Sequence, residues 1–139
     1  MLLDANVFLE AALAQKHGPA CKSLLEKLRD GKIRAVVTDF HVDSVVLVME
    51  SRGKGWKELS YFLASLRAYK GLRILVLGLD ERIKATTIMR DYKLDFDDAL
   101  AVQALRELSL DTIVSYDAHF DAVDWVQRKT PEDLVSPRV

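Results

Sequence analysis

A chain of 139 residues, half of them apolar and 29% charged, has the balance of a globular protein with its own core, and its length fits one domain over residues 1–139. No apolar run approaches the roughly 18–20 residues of a membrane span, and Met1-Leu2-Leu3-Asp4 meets a carboxylate without a signal-peptide core, so a cytoplasmic protein with no membrane partner is expected. The single cysteine, Cys21, excludes an intrachain disulfide and a thiolate zinc cluster, and a net charge of −1 means that any nucleic acid must meet a local basic patch.

In chain order, Leu2–Ala5 reads as a first buried strand. Val7–Ala14 and Ala20–Arg29 follow as helices, separated by the Gly18-Pro19 break. Ile33–Val37 is a second strand, rich in β-branched residues. Thr38 and Asp39 give a helix start signal ahead of Phe40–Met49, and Gly53 and Gly55 break that segment. Trp56–Tyr69 carries Leu59, Phe62, Leu63 and Leu66 at helical spacing. After Gly71, Arg73–Leu77 is a third strand. Asp80–Tyr92 and Phe96–Leu108 are helices, Thr112–Tyr116 a fourth strand and Val123–Val126 a fifth. This alternation predicts an α/β fold with a parallel sheet covered on both faces.

Four acids stand out by their place in that plan. Asp4 ends the first strand and Asp117 follows the fourth. Asp43 lies about one turn into the helix after strand two, and Asp98 opens the helix that feeds strand four. Parallel strands share a carboxyl edge, and helices that follow or feed them start at that rim, so the four are expected to converge. Open α/β sheets bind ligands outside this edge, where the strand order reverses. Clustered carboxylates repel unless a cation neutralises them. Their oxygens suit Mg²⁺ or Mn²⁺, and such a cation supports cleavage of a phosphodiester.

Each position also has a purely structural reading. Asp4 and Asn6 suit helix capping as well as a ligand role. Asp43 interrupts a helix that is apolar from Val42 to Met49 apart from Ser44, so it is either edge-exposed or held by a partner. Asp97 and Asp98 point about 100° apart, so only one is expected as a ligand. Asp117 could shape the turn after strand four, and Asp121 is a metal or supporting acid or a plain loop charge. His17, His41 and His119 are scattered and read as surface or packing residues. Arg52, Lys54, Trp56 and Lys57 put three cations and a stacking ring on a glycine-flexed turn. That turn is either a nucleic-acid patch or a solvated loop in which Trp56 anchors the next helix.

Four stretches together resemble the PIN-domain family, in particular the VapC-type toxin ribonucleases. They are Leu2-Leu3-Asp4-Ala5-Asn6-Val7-Phe8-Leu9, Val37-Thr38-Asp39-Phe40-His41-Val42-Asp43-Ser44, Phe96-Asp97-Asp98-Ala99-Leu100-Ala101 and Ile113-Val114-Ser115-Tyr116-Asp117-Ala118-His119-Phe120-Asp121. The resemblance implies a three-layer α/β/α sandwich with a parallel five-stranded sheet in the order 3-2-1-4-5. It further implies that Asp4, Asp98 and Asp117 bind Mg²⁺ or Mn²⁺, supported by Asn6, Ser115 and Asp121, and that the activity is hydrolysis of RNA. A homodimer silenced by an antitoxin protein is expected from the toxin branch. One departure stands out: Ser44 occupies the place of the family's glutamate after strand two. The neighbouring Asp43 is expected to serve as the fourth catalytic acid, with Glu50 a more distant substitute.

Two rivals remain at this level. One is an inactive PIN fold that binds RNA or protein, for which Ser44 argues. The other is a phosphoacceptor receiver domain, which wants paired acids after strand one and a lysine after the last strands. Asp4 stands single, and Ser115-Tyr116-Asp117 offers no such lysine.

Overall fold

The computed structural model describes residues 1–135. Five strands form one parallel sheet: β1 (Leu2–Leu3), β2 (Ala35–Thr38), β3 (Leu72–Leu75), β4 (Thr112–Val114) and β5 (Gln127–Lys129), in the order β3-β2-β1-β4-β5. The helices are α1 (Ala5–Ala12), α2 (Gly18–Arg29), α3 (Asp39–Ser51), α4 (Trp56–Leu66), α5 (Leu79–Tyr92), α6 (Phe96–Leu108) and α7 (Pro131–Val135). A 3₁₀ turn spans Ala118–Ala122.

Successive strand residues point to opposite faces, and the core divides accordingly. Leu2 and Ile113 pack with Ala85, Ile88, Leu100 and Leu105 of α5 and α6. Leu3, Val37 and Val114 face the other way, into Val7, Leu24 and Val45 of α1, α2 and α3. The central strand β1 is fully buried, with Leu2 and Leu3 both at 0% exposure. This three-layer α/β/α arrangement is the one expected from the sequence, strand order included.

Local chemistry sets where the elements begin. Thr38 ends β2 and caps α3, its hydroxyl accepting from the His41 N–H at 3.0 Å. Asp95 caps α6 by accepting from the Asp98 N–H at 3.3 Å. Gly71 lets the chain pass under α2: a Cβ there would stand 2.0 Å from the Ile33 carbonyl oxygen.

Two segments differ from expectation. The fifth strand is Gln127–Lys129, not Val123–Val126. Val123 and Val126 are buried core residues that pack below the sheet edge, so their apolar pattern marks burial and not strand pairing. The strand itself is a polar edge, pairing Ile113 with Arg128. Helix α7 is additional. Its signal was Thr130-Pro131-Glu132-Asp133, where the Thr130 N–H donates to Asp133 Oδ2 at 2.9 Å and proline occupies the first helical position.

Candidate metal centre at the carboxyl edge of the sheet

Strands β1 and β4 are neighbours, so the residues just past them stand side by side at the point where strand order reverses. Asp4 follows β1 and is buried, with 8% exposure. Its Oδ1 accepts from the Ala5 N–H at 2.8 Å, capping α1, while Oδ2 accepts from Ser115 Oγ at 2.6 Å. The capping reading and the rim reading of Asp4 therefore both hold. Asn6 Nδ2 donates to Asp4 Oδ2 at 3.3 Å and to Ser115 Oγ at 3.1 Å. Ser115 Oγ also accepts from the Asp117 N–H at 2.9 Å, so one fully buried hydroxyl joins the two strand-end acids.

Asp98 comes to the same place from the first turn of α6. It is buried, and its Oδ2 lies 3.2 Å from Nδ1 of His119, which is 3.0 Å from Asp117 Oδ1. One donor atom from each of Asp98, Asp117 and His119 falls within 4.8 Å of the others. Burial, followed by the negative charges of Asp97, Asp117 and Asp95, pushes the Asp98 carboxyl up to about 7. His119, hydrogen-bonded to Asp98 and facing Asp117, holds its proton more tightly than an ordinary histidine. Asp95, Asp97 and Asp98 form a second close group at the same helix start. The rim concentrates negative charge, and the imidazole faces two of its carboxylates.

The donor set suits a divalent cation. Carboxylate oxygens are hard ligands, and a cation would relieve the repulsion that now drives Asp98 toward its protonated form. Among the described residues, Asn6 Oδ1 is the one buried side-chain oxygen or nitrogen without a hydrogen-bond partner, and it belongs to the amide that holds Asp4 and Ser115.

Other expected residues lie differently. Asp43 is exposed on the first turns of α3 and makes no hydrogen bond or ion pair among the described residues, while Ser44 is half-buried and donates to the Phe40 carbonyl at 3.0 Å. Asp121 is exposed and held by Arg128 through two bonds of 3.0 and 3.1 Å, which keep its carboxyl below the usual range. Arg52 and Trp56 are exposed, and Lys57 stands over the Trp56 ring at 5.7 Å. Lys54 and Lys57 line a groove of about 630 Å³ that reaches Phe8, Leu25 and Phe62.

Two residues at the rim went unread in the sequence. His119 was read as a surface or packing residue. Its only signal was its position two residues after Asp117, and the 3₁₀ turn folds it back onto that acid. Arg128 donates to the Ser115 carbonyl at 3.4 Å, and its signal was masked by the polar edge strand.

Comparison with known proteins agrees with this architecture. A family model described as the PIN domain matches residues 1–126. A search among curated proteins finds no sequence match. The fold is similar to that of the Mycobacterium tuberculosis toxin VapC20, described as cleaving the sarcin-ricin loop (TM-score 0.72, 13% identity, 90% of this chain and 95% of that one). It is also similar to a chain in a toxin–antitoxin complex from Klebsiella pneumoniae (0.68, 14%, 94% and 96%). A third likeness is to a chain of VapBC2 from Rickettsia felis bound to a promoter DNA fragment (0.67, 15%, 93% and 96%). At these identities the structural likeness establishes the fold.

Proposed function

The chain belongs to the PIN-domain family, and from that premise we propose that it is a metal-dependent endoribonuclease, the toxin of a toxin–antitoxin pair. The observation that carries the reading is the meeting of Asp98, Asp117 and His119 within 4.8 Å, joined to Asp4 through Ser115, at the sheet edge where the paired strands β1 and β4 end.

Asp4, Asp98 and Asp117 are the residues that would hold Mg²⁺ or Mn²⁺, which when bound would supply charge neutralisation at phosphorus and an activated water. The chain's own work is positioning. Ser115 orients Asp4 through its 2.6 Å hydrogen bond and fixes the Asp117 backbone at 2.9 Å, and Asn6 braces both Asp4 and Ser115. Without a cation the Asp98 carboxyl keeps its proton up to near neutral pH, and a bound cation would displace that proton. Asp43, free of other partners among the described residues, is the fourth catalytic acid. Asp121 supports the site through Arg128, keeping that guanidinium at the Ser115 carbonyl.

Partner surfaces follow the same reading. The groove lined by Phe8, Leu25 and Phe62 is offered for the antitoxin, and the turn with Arg52, Lys54, Trp56 and Lys57 for RNA. Edge strand β3 and the start of α5 expose Ile74, Val76, Leu79 and Ile83, an apolar surface suited to a homodimer. Among the described residues no helix is long and apolar enough to cross a membrane.

The test is RNA cleavage by purified protein with added Mn²⁺, lost in Asp98→Asn. Equal cleavage by both proteins would assign the activity to a contaminant. Ser44 favours a second reading, an inactive PIN fold that binds RNA or protein. Calorimetry separates the two, since an inactive site should take up no Mn²⁺ at millimolar concentration or below.

A further inference from the structure

The acidic reading of the rim leaves one group without a role. His119 is 69% exposed at its side chain, and Nδ1 of its ring is turned back onto the acids. Its backbone N–H donates to Asp117 Oδ1 at 2.9 Å, and the next residue, Phe120, is fully buried, so the turn that carries the imidazole is anchored on both sides.

The ring presents Nδ1 to both carboxylates, at 3.0 Å from Asp117 Oδ1 and 3.2 Å from Asp98 Oδ2. Ligands at about 2.1 Å from a cation and at right angles to one another stand about 3.0 Å apart. Nδ1 therefore already stands at the spacing of a neighbouring donor from each carboxylate oxygen, and the donor atoms of the three residues all lie within 4.8 Å of one another. The other two histidines are engaged elsewhere: His41 is buried between the Thr38 hydroxyl and the Asp97 carbonyl, and His17 is stacked on Tyr116 and bonded to Glu132 at 3.0 Å.

We propose that His119 Nδ1 is a ligand of the cation site, completing with Asp98 and Asp117 a mixed nitrogen–oxygen donor set that selects Mn²⁺ and later first-row metals over Mg²⁺. Imidazole binds transition metals far better than Mg²⁺, whereas a site of carboxylates and water alone gives Mg²⁺ no such disadvantage. The inference rests on reading these same acids as the nuclease's metal centre, and it names the metal class the centre takes.

The experiment uses the full chain freed of metal, loaded with Mn²⁺ and examined by pulsed electron paramagnetic resonance, with calorimetry for Mn²⁺ and Mg²⁺ alongside. Bound Mn²⁺ should show coupling to a directly attached nitrogen, absent in His119→Ala. That variant should lose Mn²⁺ affinity by about tenfold or more while Mg²⁺ affinity changes less. His119→Asp, which restores a charged donor at an exposed position, should recover Mn²⁺ binding without the nitrogen signal and with the preference over Mg²⁺ diminished. Tight Mn²⁺ binding with no nitrogen coupling, or the same coupling in His119→Ala, would overturn the inference and leave the nuclease reading standing. No Mn²⁺ binding at all would overturn both.

Discussion

Ser115 and Asp4, 111 residues apart in the chain, share a 2.6 Å hydrogen bond at the junction of β1 and β4. Ser115→Ala removes a buried hydroxyl that also accepts from Asn6 and from the Asp117 N–H. The expected cost is about 1–3 kcal/mol of stability, because the Asp117 N–H and the Asn6 amide lose a partner in a buried place. Cation affinity should fall by roughly tenfold or more as Asp4 loses its orientation. Calorimetric titration with Mn²⁺ beside a denaturant curve measures both; unchanged metal affinity would remove Ser115 from the site.

Asp98 contributes to the pH dependence of the metal-free protein, together with Asp97, whose carboxyl is also pushed up by burial, to about 6. The folded Asp98 carboxyl lies near 7 because of burial and the neighbouring acids, against about 3.9 in the unfolded chain. Between those values the folded state holds a proton that the unfolded state has released, so stability from this group is full below about pH 4 and declines as pH rises to about 7. Asp98→Asn should therefore melt higher than the parent at pH 8, by roughly 5 °C or more, with the gap closing toward pH 4. Added Mn²⁺ should raise the parent's melting temperature and leave the variant's unchanged. A gap that widens on acidification would contradict the assignment.

Asp121 is tied to Arg128 and lies outside the group of donor atoms formed by Asp98, Asp117 and His119. Asp121→Asn should leave Mn²⁺ affinity within about twofold of the parent, as expected of an exposed charge away from the ligands. A loss comparable to that of Asp98→Asn would instead make it a direct ligand.

Asp43 is exposed and has no hydrogen-bond or ion-pair partner among the described residues, so its removal should cost little stability, within about 0.5 kcal/mol. Asp43→Ala should nevertheless slow RNA cleavage. Ser44→Glu, which supplies the acid the family carries at this place, should raise the cleavage rate of both the parent and Asp43→Ala. Full activity in Asp43→Ala would exclude it as the fourth acid.

Gly71 and Gly53 separate steric from conformational cost. At Gly71 a Cβ would sit 2.0 Å from the Ile33 carbonyl oxygen, so Gly71→Ala should lose about 3 kcal/mol or more, or fail to fold. At Gly53 the backbone is left-handed, φ +88, but open space surrounds it, and Gly53→Ala should cost about 1 kcal/mol. Denaturant unfolding of the pair checks the contrast.

Much of the fold was legible because it depends on periodicity. Helix α6 runs over Phe96–Leu108 as its apolar spacing requires, and α3 begins where Thr38 and Asp39 signal a start. Periodicity records burial, and where burial and strand pairing part company it misleads: Val123 and Val126 are core, while the paired residues are the polar Gln127, Arg128 and Lys129. Of the expected rim acids, Asp98 and Asp117 bring their donor atoms together and Asp4 reaches Asp117 through Ser115, because strand ends and helix starts share one edge. Asp43 is exposed on helix α3 and Asp121 on the 3₁₀ turn, where the direction of a side chain depends on neighbours that spacing does not reveal.

The amino-acid order alone determined the alternation of strands and helices, the parallel sheet it implies, and an edge at which Asp4, Asp43, Asp98 and Asp117 were expected, since these follow from local pattern and chain connectivity. Only the tertiary structure decided that His119 turns back onto Asp98 and Asp117 and that Arg128 is taken by Asp121, and it gave the bonds by which Ser115, named from the sequence, joins Asp4 and Asp117. Contacts of a few ångströms between residues far apart in the chain arise when the layers pack, and no local pattern encodes them.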